Sequence, residues 1–203
     1  MRAVGVGICG GSASGKSTLA QALLQELRDC RVSVVQQDSF YRDQSHVPLG
    51  ERDCINFDHP DSIEFDLLRA ALQLLIAGSA AEIPRYDFLT HTRLAHTQTV
   101  PLSEVIIVEG TLIFADPGLC ESFDVRVYVH ADDDVRLIRR LQRDTRERGR
   151  TFDSVIQQYL RTVRPMHREF VEPSKIRAEL IVDGDGDIQP AVQTIAHRIR
   201  SLL

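Results

Sequence analysis

Residues 10–17, GGSASGKS, place two glycines, a lysine and a serine at the spacing G-x-x-x-x-G-K-[ST]. That spacing suits holding a chain of phosphates. The glycines let successive backbone N–H groups turn inward around phosphate oxygens, and a helix starting at the lysine aims its positive end at the same anion. Lys16 offers a cation to the terminal phosphates, and the Ser17 hydroxyl offers a ligand to magnesium. The candidate phosphate-binding residues are therefore Gly10, Gly11, Ser12, Ala13, Ser14, Gly15, Lys16 and Ser17, with Thr18 in the first helical turn. A rival pattern overlaps them: Gly5, Gly7 and Gly10 spell G-x-G-x-x-G, a dinucleotide fingerprint. That motif needs its glycines at the turn, whereas Gly5 and Gly7 fall inside the expected strand, so their expected role is close packing.

Phosphate chemistry on such a loop uses a further carboxylate at the end of a neighbouring strand, to hold magnesium or its water. Asp38 closes VSVVQQD and Glu109 closes VIIVEG, each where a strand runs out of apolar residues. Both are candidate metal carboxylates beside Ser17; the bland alternative is that each caps a loop or helix. Residues 136–150, RLIRRLQRDTRERGR, hold seven arginines and two acids, a local charge of +5. Arg139, Arg143, Arg146 and Arg150 recur every three or four residues, one face of a continuous helix, while Leu137, Ile138 and Leu141 lie elsewhere and are expected to anchor it. Such a segment suits a lid over phosphates. Alternatively it is a solvated surface helix paired with Asp144 and Glu147.

The elements that would position these groups follow from hydrophobic periodicity. Residues 3–9 read as a buried strand and 16–28 as a helix, giving strand, glycine loop, helix. Further strands are expected at 32–38, 105–108, 125–129 and near 180–182, with helices at 63–77, from about Asp132, from about Asp153 to Val163 where Pro165 should stop it, and at the C-terminus. Residues 84–100 read as an extended, hairpin-like excursion. Alternating strand and helix predicts an α/β fold, a mostly parallel sheet covered on both faces in three layers of the P-loop NTPase type. One domain over residues 1–203 is expected, with the excursion at 84–100 and an Arg-rich helical lid at about 136–165.

Composition bounds the rest. At 203 residues, 43% hydrophobic and 26% charged, the chain can bury a full core, and its net charge of −5 argues against a nucleic-acid or anionic-membrane binder. Neither a membrane-length apolar run nor a secretory leader is visible, so a cytoplasmic location is expected. Cys9, Cys30, Cys54 and Cys120 form no CxxC pair and are expected to be reduced, mostly buried thiols.

Seven blocks together resemble the uridine kinase (uridine-cytidine kinase) branch of the P-loop phosphoribulokinase/uridine kinase family: GGSASGKS, QQDSFYRDQSH (36–46), NFDHPDS (56–62), YDFLTHTR (86–93), VIIVEG (105–110), RRLQRDTRERGR (139–150) and QYLRTVRPMHREFVEPSK (158–175). They stand in that family's order. The resemblance implies transfer of the ATP γ-phosphate, with magnesium, to the 5′-hydroxyl of uridine or cytidine, giving UMP or CMP. By the same resemblance Asp38 would take the hydroxyl proton and Asp58 would hold the ribose hydroxyls. Tyr86 and His91 would meet the pyrimidine, with Tyr41 and Phe88 nearby. Arg140, Arg150 and Gln158 would complete the nucleoside pocket, while Arg143 and Arg148, with Lys16, would cover the ATP phosphates. A homotetramer and feedback inhibition by CTP or UTP are also implied; the choices between uridine and cytidine and between ATP and GTP stay open.

Read alone, His91 would be a structural histidine and Tyr86 a core aromatic. Arg85 departs from the family's apolar residue and is a candidate extra charge near the base pocket. DGDGD (183–187) lacks the glycine and glutamate positions of a calcium loop and is expected to be a turn. Two alternatives remain: a kinase for another small alcohol such as ribulose 5-phosphate or pantothenate, and a non-catalytic nucleotide-binding regulator.

Overall fold

In the computed structural model, which describes residues 2–52 and 54–203, five parallel strands form the central sheet. They are β1 (Val4–Gly10), β2 (Val32–Gln36), β7 (Val105–Gly110), β8 (Val125–His130) and β9 (Leu180–Asp183), in the order β2-β7-β1-β8-β9. Because β1 pairs with β7 from Val4↔Val105 to Cys9↔Gly110 and with β8 from Val6↔Val125 to Gly10↔Val129, both its edges are satisfied and all seven residues are buried. Sequential strands β1 and β2 lie on either side of β7, so the connections diverge at β1/β7, the place where ligands bind in open α/β sheets.

Two helical layers cover the sheet. On one face, Leu19, Leu23 and Leu27 on and just beyond α1 (Lys16–Glu26) meet Val6, Ile8, Ile107 and Val127 of the sheet, and Val192, Ile195 and Ile199 of the last helix, Gln189–Arg200, join them. On the other, Leu68, Leu72 and Leu75 of a helix at Phe65–Ile76 pack with Ile106, Val108, Phe114 and Phe123. Gly5 and Gly7 face this second layer, and a Cβ on Gly7 would lie 2.6 Å from the Phe123 ring and 2.8 Å from the Phe114 ring. Their place is packing, as the spacing argued.

The excursion is a two-tier hairpin starting three residues before its expected boundary. β3 (Ala81–Ile83) pairs antiparallel with β6 (Gln98–Val100), and β4 (Tyr86–Asp87) pairs with β5 (Thr92–Arg93). Short helices α2 (Leu49–Arg52) and α4 (Pro117–Glu121) flank α3 (Phe65–Ile76) in chain order. The Arg-rich helix α5 (Asp133–Glu147) differs from expectation in its buried face. Arg136, Arg140 and Asp144 are buried, whereas Ile138 is 54% exposed and Leu137 and Leu141 are only partly covered. Arginine hydrogen bonds to Ser12, Gln158 and the Gly184 carbonyl, rather than leucines, anchor this helix.

Pro165 does not end the next helix. After α6 (Phe152–Gln158) the chain passes through π turns at Tyr159–Val163 and His167–Val171 on either side of α7 (Arg164–Met166), and through α8 (Glu172–Ser174) and a 3-10 turn at Lys175–Arg177 before breaking at Ala178. A π turn is wider than an α turn and gives the proline ring room against the preceding carbonyls. The last helix is α9 (Gln189–Arg200). All four cysteines are free thiols; Cys9 and Cys120 are buried, Cys30 is partly covered and Cys54 is exposed. Among the described residues no helix is long and apolar enough to cross a membrane.

Gly7→Ala is expected to destabilise the protein by about 1–3 kcal/mol in urea unfolding, because two aromatic rings must move, while leaving ATP affinity unchanged. A loss of ATP affinity at full stability would return Gly7 to the binding site.

Candidate active site

β1 ends at Gly10, and the chain turns through residues 11–15 into α1. Ala13 and Gly15 take positive φ values of 63° and 103°. The turn is tightly backed: a Cβ on Gly10 would stand 2.3 Å from the Val129 carbonyl oxygen, and one on Gly11 2.5 Å from the side-chain Nη1 of Arg136. Gly10, Gly11 and Ser14 are buried and shape the loop, while Ser12, Ala13, Gly15, Lys16, Ser17 and Thr18 line the cleft above it. Lys16 Nζ donates to the Gly11 carbonyl at 2.8 Å. Burial pulls the Lys16 pKa down, and the Glu109 carboxylate opposes that shift.

Glu109, buried at the end of β7, accepts from Ser17 Oγ at 2.7 Å. A hydroxyl and a carboxylate meeting at the mouth of the loop are hard oxygen donors of the kind magnesium takes. Asp38 lies in the short turn Gln37–Phe40 after β2 and lines the same cleft. The buried Gln37 beside it accepts from the Leu112 N–H at 2.7 Å, tying this turn to the chain after β7.

Opposite the loop stands an aromatic wall. Tyr41 packs on Phe57 (5.4 Å between centroids) and Tyr86 (5.2 Å), Tyr86 packs on Phe88 (5.5 Å), and His91 stacks on Phe57 at 4.9 Å and 17°. The Tyr86 hydroxyl is buried without a hydrogen-bond partner, and burial pushes the phenol pKa up, so it stays a protonated donor. At the hairpin tip, where His91 has φ 53°, Asp87 accepts from Leu89 N and Thr90 Oγ1, and Arg52 Nη1 donates to the Thr90 carbonyl at 2.6 Å. Arg93 Nη2 donates to the Tyr41 carbonyl at 2.8 Å and Nη1 to Glu64 at 2.9 Å, joining the hairpin to the Asp38 turn. Asp58 accepts from Thr162 Oγ1 at 3.2 Å; burial raises its pKa and Arg140 holds it down.

α5 closes the third side. Arg140 donates to Ser12 Oγ and to Gln158 Oε1, both at 2.8 Å, and Arg150 also donates to Gln158. Arg143 donates to Asp144 at 2.8 Å, and the Arg148 guanidinium lies 4.6 Å from the Phe88 ring centroid, on the aromatic side. The four-arginine stripe is broken: α5 ends at Glu147, Gly149 turns at φ 62°, and Arg150 reaches the cleft from the loop beyond. Arg146 does not line the cleft. Arg85 is exposed and hydrogen-bonded to His96, away from the cleft, so it adds no charge to the cleft lining.

The cleft, about 1120 Å³, thus gathers eighteen of the sequence-derived candidates: the six cleft-lining loop residues, with Asp38, Tyr41, Asp58, Tyr86, Phe88, His91, Glu109, Arg140, Arg143, Arg148, Arg150 and Gln158. Sequence reasoning missed two contributors, Phe57 and Gly184, whereas Arg139 was expected on the lid stripe. Phe57 is the stacking partner of His91; its position inside NFDHP was the available signal. Arg139 binds the Gly184 carbonyl at 2.9 Å, and Gly184, in the DGDGD turn, lies where a Cβ would meet the Ser14 carbonyl at 2.1 Å. Nothing local marked that turn as a cleft wall. A smaller cavity between α1 and α9 is lined by Glu26, Asp29 and Arg200, already paired with one another.

With the geometry in place, the chain can be compared with known proteins. Residues 5–189 match the model of the Phosphoribulokinase / Uridine kinase family. The chain belongs to this family. It is 48% identical over 198 residues to uridine kinase of Chloroflexus aggregans, covering 98% of this chain and 95% of that one, and 44% identical over 202 residues to uridine kinase of Alkaliphilus metalliredigens, covering 100% and 97%. Solved structures share the fold at lower identity. Phosphoribulokinase from Rhodobacter spheroides superposes with a TM-score of 0.66 at 12% identity, covering 91% of this chain and 73% of its own. D-glycerate 3-kinase from Cryptococcus neoformans does so at 0.62 and 18%, covering 86% and 80%.

Behind the loop His167 sits with Arg136 against Gly11, its Nε2 3.4 Å from Glu172. Burial, then the neighbouring Arg136 charge, lowers its pKa to about 4. An unfolded histidine protonates near pH ~6.5, so acid favours the unfolded chain. Stability is expected to fall as pH drops from about 6.5 to about 4, by about 3 kcal/mol in total, and then to show no further loss from this group. His167→Gln should flatten that part of the urea-unfolding profile; an unchanged slope would assign it to other groups.

Proposed function

We propose that this chain transfers the γ-phosphate of ATP to the 5′-hydroxyl of uridine or cytidine, giving UMP or CMP in pyrimidine salvage. The observation that carries the reading is the pairing, across one cleft, of the phosphate loop with the wall of Tyr41, Phe57, Tyr86, Phe88 and His91, with Asp38 between them. The 48% identical relative named uridine kinase supports it.

In this reading the N–H groups of residues 11–17, Lys16 and Arg143 grip the phosphates, and Arg148 swings toward the transferred group as the lid closes. Ser17 and Glu109, with Asp38 nearby, would hold a magnesium ion, whose charge neutralises the phosphate oxygens. Phosphoryl transfer has a loose transition state with charge spread over three oxygens, so positioning and neutralisation carry most of the rate. Asp38 orients the acceptor hydroxyl and takes its proton as the bond to phosphorus forms. Asp58, held by Thr162 and Arg140, binds the ribose hydroxyls. Phe57 and His91 take the base beside Tyr86, whose partnerless hydroxyl is available to it. Arg140, Arg150 and Gln158, linked to one another, close the pocket. Residues 1–203 act as one kinase domain, with the hairpin on the nucleoside side and the region at about 136–165 as the lid. A cytoplasmic homotetramer completes the reading, carried by the family resemblance.

ADP release from purified protein with ATP and magnesium is expected with uridine and cytidine and not with adenosine, ribulose 5-phosphate or pantothenate. Turnover with a different acceptor alone would discard the base-pocket roles. No turnover despite ATP binding would leave a nucleotide-binding regulator. Asp38→Asn should lower kcat by about 100-fold or more with ATP affinity retained; normal turnover would remove Asp38 from the mechanism. His91→Ala should raise the nucleoside KM and leave the ATP KM unchanged, whereas equal losses would mean a folding defect.

A further inference from the structure

Asp144 is fully buried, yet none of the roles above uses it. It lies on the inner face of α5, one turn after Arg140. Three guanidinium groups surround its carboxylate. Arg143 Nε and Nη2 both lie 2.8 Å from Oδ1, Arg148 Nη1 is 3.7 Å from the same oxygen, and Arg140 Nε is 3.4 Å from Oδ2. The Asp144 carbonyl also accepts from Arg150 N at 3.1 Å, so the same residue shapes the turn that carries Arg150 into the cleft. Each arginine points to a different part of the site: Arg140 to Ser12 of the phosphate loop, Arg143 to the cleft above that loop, and Arg148 to the Phe88 ring.

Three like charges this close repel one another, and at Arg148 burial together with Arg143 and Arg140 lowers the pKa, while Asp144 and Asp38 oppose the shift. One carboxylate offsets that repulsion: Arg143 is held by a charge-assisted hydrogen bond, while Arg140 and Arg148 are held by charge attraction, since neither Arg140 Nε nor Asp144 Oδ2 has a hydrogen-bond partner. Without that charge Arg140 would keep its bonds to Ser12 and Gln158, but Arg143 and Arg148, with side chains 29% and 28% exposed, are free to swing to solvent.

We propose that Asp144 is a positioning residue that sets the lid arginines of the donor and acceptor sites from one buried carboxylate, so that the two substrate sites are built on a shared centre. This rests on the kinase reading above, and it deepens it: substrate binding at either site depends on a group that touches neither substrate.

The test is Asp144→Asn, which keeps the shape and removes the charge. With wild-type turnover of uridine established first, the variant is expected to raise the KM for ATP and for uridine each by about tenfold or more. ATP hydrolysis without nucleoside should rise relative to transfer, since the lid no longer closes in register. Adding Arg143→Ala to Asp144→Asn should cost less than Arg143→Ala costs in the wild type, because the arginine has already lost its place. A purely structural Asp144 would lower stability with both KM values unchanged and the two substitutions additive; that result overturns the proposal. ATP affinity of wild type and variant, measured by calorimetry without acceptor, judges the donor arm even if the nucleoside reading fails, and equal affinities overturn it. Should Asp144→Asn not fold, Asp144→Glu keeps the charge and displaces it by one methylene; raised KM values for both substrates are expected there, and wild-type values overturn the proposal.

Discussion

The phosphate loop is wedged among backbone and side-chain groups that leave no space for a Cβ at Gly10 and Gly11. The Val129 carbonyl backs Gly10, Arg136 and His167 back Gly11, and Gly184 presses on the Ser14 carbonyl from the far side. These contacts require β8 next to β1, the start of α5 directly behind the loop, and the turn after β9 folded over it. The strand order β2-β7-β1-β8-β9 meets all three demands at once. It also brings the ends of β2 and β7 to the other side of the same loop, which is why Asp38 and Glu109 arrive there together.

Charge is the second organising problem. The cleft concentrates Lys16 and five arginines of the 136–150 segment beside Asp38, Asp58, Glu109 and Asp144. In so confined a space each unpaired charge would be costly, and the structure answers with short links: Ser17 to Glu109, Arg140 to Ser12 and Gln158, Thr162 to Asp58. The α5 helix illustrates the outcome. Its inner face is Arg136, Arg140 and Asp144, and its leucines and isoleucine remain at least partly exposed. Polar partners across the cleft, each with a matching donor or acceptor, decided which side of an amphipathic helix turned inward.

The hairpin depends on similar ties. Its strands are only two or three residues long, too short to stand alone in water, and Arg52 and Arg93 bind it to the loops that carry Ser45 and Tyr41. An aromatic cluster of Tyr41, Phe57, Tyr86, Phe88 and His91 then forms between hairpin and sheet edge from segments up to fifty residues apart.

Local sequence was enough wherever the deciding physics was local. The glycine spacing of residues 10–17, the apolar runs of β1 and β7 ending in Gly10 and Glu109, and the helical period of α1 and α3 all act within a few residues, and each stands where the sequence predicts. The aromatic wall was legible only through resemblance, since a lone Tyr86 or His91 is ambiguous by itself. Tertiary structure decided the rest. Pro165 was accommodated by π turns, Arg85 turned to His96, the buried face of α5 was set by hydrogen bonds to Ser12 and Gln158, and Gly184 became part of the phosphate-loop wall. In each case the winning interaction joins residues distant in the chain or depends on how much room a neighbour leaves, and neither quantity is written in the spacing of residues along one segment.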